Sequence, residues 1–173
     1  MAPVRPGRPS DRPALRRLQA RLPEPAPALL DHGLRTGGVL VSVADGRPAG
    51  YLLAVGVAFG PEARPPEAGG RRRPPETDVP SEASDGRATA TGRSPGSDGA
   101  HLAELVVAPA RRREGRASAL LDRLLAAADG PVTVAVAPGN RAARALYRTR
   151  GFEAVERREG YFASGPALWL VRR

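Results

Sequence analysis

His101-Leu-Ala-Glu-Leu-Val-Val107, continuing through Ala108-Pro-Ala-Arg-Arg-Arg-Glu-Gly-Arg-Ala117, decides how this chain folds. The first seven residues are almost continuously apolar, which predicts a buried strand. Residues 116–128 predict a helix with one strong stripe, Leu120, Leu121, Leu124 and Leu125. A strand that runs through a turn straight into a helix leaves several backbone N–H groups unpaired and pointing the same way, which makes an anion nest. Gly115 lets the main chain come close to an anion, and the small Ala117 keeps a side chain out of its path. The helix dipole and the flanking arginines add favourable field. On this physics alone the turn holds a phosphate of any kind, or it is a plain strand-to-helix connection with arginines at the surface.

Downstream, Gly130-Pro131 stops the helix and Val132-Thr-Val-Ala-Val-Ala137 predicts a second buried strand. Pro138-Gly-Asn140 leads into a helix over residues 141–150, with Gly151 as its C-terminal stop. Two more strands are expected at residues 152–157 and 167–171, separated by Arg158-Glu-Gly-Tyr-Phe162. Upstream, Val39-Leu-Val-Ser-Val-Ala44 meets Tyr51-Leu-Leu-Ala-Val-Gly-Val57 across Asp45-Gly46 as a hairpin. Val4-Arg5-Pro6 predicts a short first strand. Ser10 or Asp11 then caps a helix whose stripe is Leu15, Leu18 and Leu22, and a second helix covers residues 25–34.

The span 61–99 differs in composition. Proline and glycine fill 13 of its 39 positions and Val79 is its only large aliphatic residue. Such a segment buries too little apolar surface to offset its ordering entropy, so it is expected to be a disordered insertion between strands of a single domain, residues 1–173. With 41% hydrophobic residues the rest can form one α/β core of ordinary size. Cysteine is absent, which excludes disulfides, thiolate catalysis and cysteine-bound zinc, and two histidines are too few for a histidine metal site. The chain has no run of eighteen apolar residues and no apolar start, so a cytoplasmic location without membrane insertion is expected. All 27 basic residues are arginine and isoleucine is absent, a codon bias more than a functional signal. The net charge of +9 nonetheless favours anionic ligands.

Arg112-x-x-Gly115-x-Ala117 resembles the (Gln/Arg)-x-x-Gly-x-(Gly/Ala) signature of GNAT acetyltransferases. Asn140-x-x-Ala143-x-x-Leu146-Tyr147-x-x-x-Gly151-Phe152 resembles that family's second element. The resemblance covers residues 4–171 apart from 61–99. It implies a mixed central sheet flanked by helices, with acetyl-CoA in a cleft where the strands at 102–107 and 132–137 splay apart. The cofactor's pyrophosphate is then expected on the turn Arg112, Arg113, Glu114, Gly115, Arg116 and Ala117. Its pantetheine amides are expected on the main chain of Val106 and Val107, as a surrogate strand. Asn140 and Tyr147, seven apart on one helix, share a face that the resemblance turns toward the cofactor. Asn140 is expected to bind the cofactor or cap the helix. Tyr147 is expected to be the general acid toward the CoA thiolate or an aromatic packed under the sheet.

Glu104 is the only charged residue within 102–107, and a carboxylate buried there is costly unless it has a wet cleft or a partner. It is the candidate base, directly or through water, or else the partner of a nearby arginine. His101 is the reserve base, with surface exposure as the alternative. The segment at Arg157–Phe162 is similar to an acceptor-lining loop of ribosomal-protein N-terminal acetyltransferases, which makes Tyr161 a candidate substrate contact or a residue packed on the last strand. Ala135 departs from that subgroup, which carries glutamate there. The expected acceptor is a small-molecule amine or a peptide N-terminus, with a homodimer an open assembly. The alternatives are a CoA-binding regulatory module without turnover and a basic nucleic-acid or ribosome-associated protein. Low aromatic content speaks against base stacking, so nucleic acid is not the expected partner.

Overall fold

Asp45 and Gly46 both take left-handed backbone angles, φ +48° and +71°. Their two-residue turn lays β2 (Val39–Ala44) directly against β3 (Arg47–Val55), with Ala44 opposite Arg47. Strand β3 therefore begins before the apolar run at Tyr51, because ladder pairing starts at the turn whatever the side chains are. The computed structural model describes residues 2–59 and 99–173. The expected insertion at 61–99 lies, except for Gly99, outside the described residues. No helix among those described is long and apolar enough to cross a membrane.

The remaining elements are β1 (Val4–Pro6), α1 (Arg12–Gln19), α2 (Pro27–Thr36), β4 (Ala100–Val107), α3 (Arg116–Ala127), β5 (Val132–Val136), α4 (Arg141–Arg148), β6 (Glu153–Phe162) and β7 (Gly165–Arg172). Seven strands make one sheet in the order β1-β2-β3-β4-β5-β7-β6. Every neighbouring pair is antiparallel except β4 and β5, so the sheet is mixed, as expected. Leu15 and Leu18 of α1 and Leu30 and Leu34 of α2 bury one face with Val39, Val41, Tyr51, Leu53 and Val106. Leu120, Leu121 and Leu124 of α3 and Tyr147 of α4 bury the other with Leu40, Leu52, Leu102, Val134 and Leu170. Each of these helices has one apolar stripe, and the sheet has two faces to cover.

Strand β4 is irregular at the point where it matters. Leu53 pairs with Glu104 and Ala54 with Leu102, so Ala103 is an extra residue, a β-bulge. In a regular strand residues 102 and 104 share a face. Here Leu102 packs toward α3 while Glu104 reaches α1 on the opposite side.

Other expectations shift at their ends. The second helix runs from Pro27 to Thr36 instead of 25–34, and α4 ends at Arg148 instead of 150. Asp11 stands at the N-cap of α1, as one of the two expected candidates, but its side chain makes no capping bond to that helix. It accepts from the Arg8 N–H at 2.9 Å and holds Arg5 through two bonds of 2.7 and 2.8 Å. The largest change is in the tail, where 158–162 was expected to separate two strands. Strand β6 extends to Phe162 and turns at once into β7, because β7 offers it a ladder the local sequence does not announce.

Candidate active site

Strands β4 and β5 pair only from Ala100 opposite Val132 to Leu102 opposite Val134. Beyond that point Glu104–Val107 pair only with β3, and Ala135 and Val136 only with β7. The strands splay, and a cleft of about 630 Å³ opens between them. Its walls are β4 from Ala103 to Val107, β5 from Val134, and the α4 residues Asn140, Ala143, Leu146 and Tyr147. One end is the turn carrying Arg111, Arg112, Arg113, Gly115, Arg116, Ala117 and Ser118. The other end is Arg21–Glu24 together with Phe162 and Ser164. The expected residues Glu104, Val106, Val107, Arg112, Arg113, Gly115, Arg116, Ala117, Asn140 and Tyr147 are thus gathered on one cleft. Glu114, Tyr161 and His101 do not line it.

The turn's shape comes from two left-handed residues, Arg113 (φ +67°) and Gly115 (φ +72°). A Cβ on Gly115 would meet nothing within 4 Å, so this glycine serves the backbone angle and not the packing. Gly115 is also the N-cap of α3, and no side chain caps that helix. Its first-turn N–H groups therefore lack a capping partner at the arginine-rich end of the cleft, where the helix dipole favours an anion.

Two members of the turn behave differently from expectation. Glu114 would oppose a bound phosphate, but its carboxylate accepts from Arg116 Nε at 2.8 Å and lies 3.8 Å from an Arg111 nitrogen, which neutralises it. The Arg116 side chain is buried and donates to Ser42 Oγ at 3.0 Å and to the Val43 carbonyl at 2.9 Å. It braces the helix start against β2, which leaves its main chain, not its guanidinium, for an anion. Arg116→Met should cost about 2 kcal/mol of stability, because it strands buried acceptors on β2. Urea unfolding checks this, and an unchanged midpoint would contradict the bracing role.

Glu104 is 6% exposed, and among the described residues its partners are not arginines. Gln19 Nε2 donates to both its oxygens at 3.0 Å, the Ala26 N–H donates to Oε1 at 3.0 Å, and the Tyr51 hydroxyl donates to Oε2 at 2.7 Å. Burial and the adjacent Glu104 charge push the Tyr51 phenol well above its ordinary range. Asn140 caps α4, its Oδ1 accepting from the Ala143 N–H at 3.1 Å. Tyr147 is buried with its ring tilted on Phe152 at 5.5 Å, and burial pushes its phenol up as well.

His101 is half-buried and not simply exposed. It stacks on Trp169 at 5.0 Å with its Nδ1 2.9 Å from Thr133 Oγ1. Burial, and secondarily Arg158, hold its pKa below the ordinary histidine value. Tyr161 packs edge-on against Trp169, while its neighbour Phe162 reaches the cleft, as strand alternation requires. Sequence reasoning missed Phe162, Ser164, Leu22 and Glu24 at this mouth. The Ser164 N–H donates to Glu24 Oε1 at 3.3 Å, joining the α1–α2 loop to the β6–β7 turn. A strand read through to Phe162 would have signalled the first of them. Nothing local signals the loop, whose place depends on a partner 78 to 85 residues away.

The family profile of the acetyltransferase (GNAT) family matches residues 12–152. The chain belongs to the GNAT acetyltransferase family. As such it is an acetyl-CoA-dependent N-acetyltransferase, and the cleft between β4 and β5 is the candidate seat of the donor. A search of curated proteins finds no match. Among solved structures, this GNAT chain is similar to the ribosomal-protein-S18-alanine N-acetyltransferase of Escherichia coli, with 18% identity over 99% of this chain and 92% of that one and a TM-score of 0.66. It is similar to Arabidopsis thaliana NAA60 in complex with acetyl-CoA, with 19% identity over 99% of each chain and a TM-score of 0.66. It is also similar to Arabidopsis thaliana Naa50 in complex with the bisubstrate analogue CoA-Ac-MVNAL, with 13% identity over 99% and 98% of the two chains and a TM-score of 0.68. At these identities the likeness establishes the fold.

Proposed function

We propose that this acetyltransferase acetylates the α-amine of a peptide or protein N-terminus by direct attack. The observation that carries this reading is the engagement of Glu104. Both of its oxygens already accept hydrogen bonds, and the other carboxylate lining the cleft among the described residues, Glu24, sits at the exposed mouth. A cleft whose described residues include no dedicated base suits an acceptor that is already partly neutral. An α-amine with a pKa near 7.8 is about one-tenth neutral at pH 7, whereas an alkylamine near 10.4 is neutral to less than about one part in a thousand.

Bound acetyl-CoA supplies the thioester carbonyl that the amine attacks. The residues present fit such a donor. The uncapped start of α3 with Arg112 and Arg113 suits its pyrophosphate, and among the described residues the inner edge of β4 at Val106 and Val107 has no strand partner to compete with pantetheine amides. The amine nitrogen bonds to the thioester carbon, and as the tetrahedral intermediate collapses the C–S bond breaks while the Tyr147 hydroxyl gives its proton to the leaving sulfur and is restored by the proton that the nitrogen releases. Its raised pKa keeps it protonated at neutral pH, so it acts as a donor and not as a base. Asn140, fixed as the α4 cap, keeps Tyr147 in register two turns away.

Binding to the native state alone should make acetyl-CoA a stabiliser. At about a hundred times Kd it adds roughly 2.7 kcal/mol and raises the melting temperature by about 5 °C or more. No shift at millimolar acetyl-CoA would remove the cleft assignment. A comparison of alanine tetrapeptide with n-butylamine at neutral pH, following CoA release, tests the acceptor. The peptide should have at least about a hundredfold higher kcat/KM, given the difference in neutral fraction. Equal rates would overturn the α-amine reading, and cofactor binding without turnover of any amine would point to a regulatory CoA-binding module.

A further inference from the structure

Glu104 holds two points of one loop. Gln19, the last residue of α1, and Ala26, the N-cap of α2, bracket residues 20–25, and both donate to the same carboxylate. Between them Arg21, Leu22, Pro23 and Glu24 form one side of the cleft mouth. The carboxylate itself stands on β4, the strand that carries the cofactor-facing edge, and Tyr51 of β3 steadies it from below. Only the bulge at Ala103 turns it to this side.

We propose that Glu104 is a positioning residue: its carboxylate clamps both ends of the α1–α2 loop to the cofactor strand and so sets the distance from acceptor to thioester. The inference rests on acetyl transfer taking place in this cleft. The chemistry favours a carboxylate because only an ionised carboxyl offers enough acceptor sites, with no hydrogen of its own, for three converging donors. Glutamine at 104 would turn an N–H2 group toward one of them. The loop would then lose one anchor while the sheet beneath it stays whole, so the loss falls on acceptor placement.

The test uses the full chain and two variants, Glu104→Gln and Gln19→Met, the second of which removes a clamp donor without touching the cofactor strand. In both, hydrogen exchange at the amides of Leu22, Glu24 and Ala26 should quicken by about tenfold or more through local opening. Acetyl-CoA affinity should stay within about twofold. With alanine tetrapeptide as acceptor, KM should rise about tenfold while kcat stays within about threefold, equally from about pH 6 to about pH 9. Unchanged loop exchange in Gln19→Met overturns the clamp. So does a Glu104→Gln defect confined to kcat that fades as pH rises, with Gln19→Met silent, because that is the signature of a lost base. If Glu104→Gln does not fold, Gln19→Met decides alone. If the wild type acetylates no peptide, the proposed acceptor fails, and the exchange measurement still decides the clamp.

Discussion

Gly115→Asp should raise the Kd for acetyl-CoA by about a hundredfold or more, equivalent to about 3 kcal/mol. Two effects add. An L-residue at φ +72° is strained by roughly 1 kcal/mol, which aspartate tolerates better than most. Its carboxylate would also sit at the start of α3, against the phosphate charge that the helix dipole with Arg112 and Arg113 is proposed to attract. The fold should survive, because a Cβ there meets nothing within 4 Å. Gly115→Asn separates the causes, having similar size and tolerance of this backbone angle but no charge. It should weaken binding by about tenfold or less, the backbone share alone. Calorimetric titration with acetyl-CoA measures both variants, and unchanged affinity in Gly115→Asp would mean that the pyrophosphate lies elsewhere.

Tyr147→Phe should lower kcat by about a hundredfold or more while acetyl-CoA affinity stays within about twofold. The ring, tilted on Phe152, is retained, so only the hydroxyl is lost. In the proposed mechanism that hydroxyl acts when the sulfur departs and much less when the donor binds, which places the expected loss in kcat. The pH dependence follows from the direction of the shift. Burial raises the phenol pKa, so the proton is present throughout the neutral range and the wild-type rate should not decline there through ionisation of this group. The variant's defect should accordingly be constant with pH. Full turnover by Tyr147→Phe on a peptide acceptor would show that another donor serves the thiolate.

The arginine-rich half of the site was legible because its signal is local. A buried strand, a turn with Gly115, and a leucine-striped helix stand within thirty residues, and the backbone consequences of that order follow from short-range geometry. Helical spacing places Asn140 and Tyr147 on one face, and the resemblance to GNAT enzymes turned that face toward the cleft that both now line. The opposite end of the cleft was not legible. Glu104 was recognised as anomalous from its neighbours, yet its partners Gln19, Ala26 and Tyr51 come from three other places in the chain. Parity counting would have put it beside Leu102, and the bulge at Ala103 reverses that. Tyr161 was singled out because Arg157–Phe162 resembles an acceptor-lining loop, and only pairing with β7 shows that the segment is strand, with Phe162 and not Tyr161 at the cleft. Arg116 looked like a phosphate ligand because a motif does not say where a side chain points. Buried acceptors on β2 draw it inward.

By itself, then, the sequence determined the strand–turn–helix that can receive a phosphate and the helix that carries Tyr147, because these follow from periodicity and backbone geometry within one segment, while the mixed sheet that holds them was expected only through the resemblance to GNAT enzymes. The tertiary structure alone decided where β4 and β5 part, which face Glu104 takes, and which loops meet at the mouth. Those features depend on ladder register and on hydrogen bonds between segments up to 140 residues apart, such as Glu24 with Ser164, and no local pattern encodes the register of a distant partner.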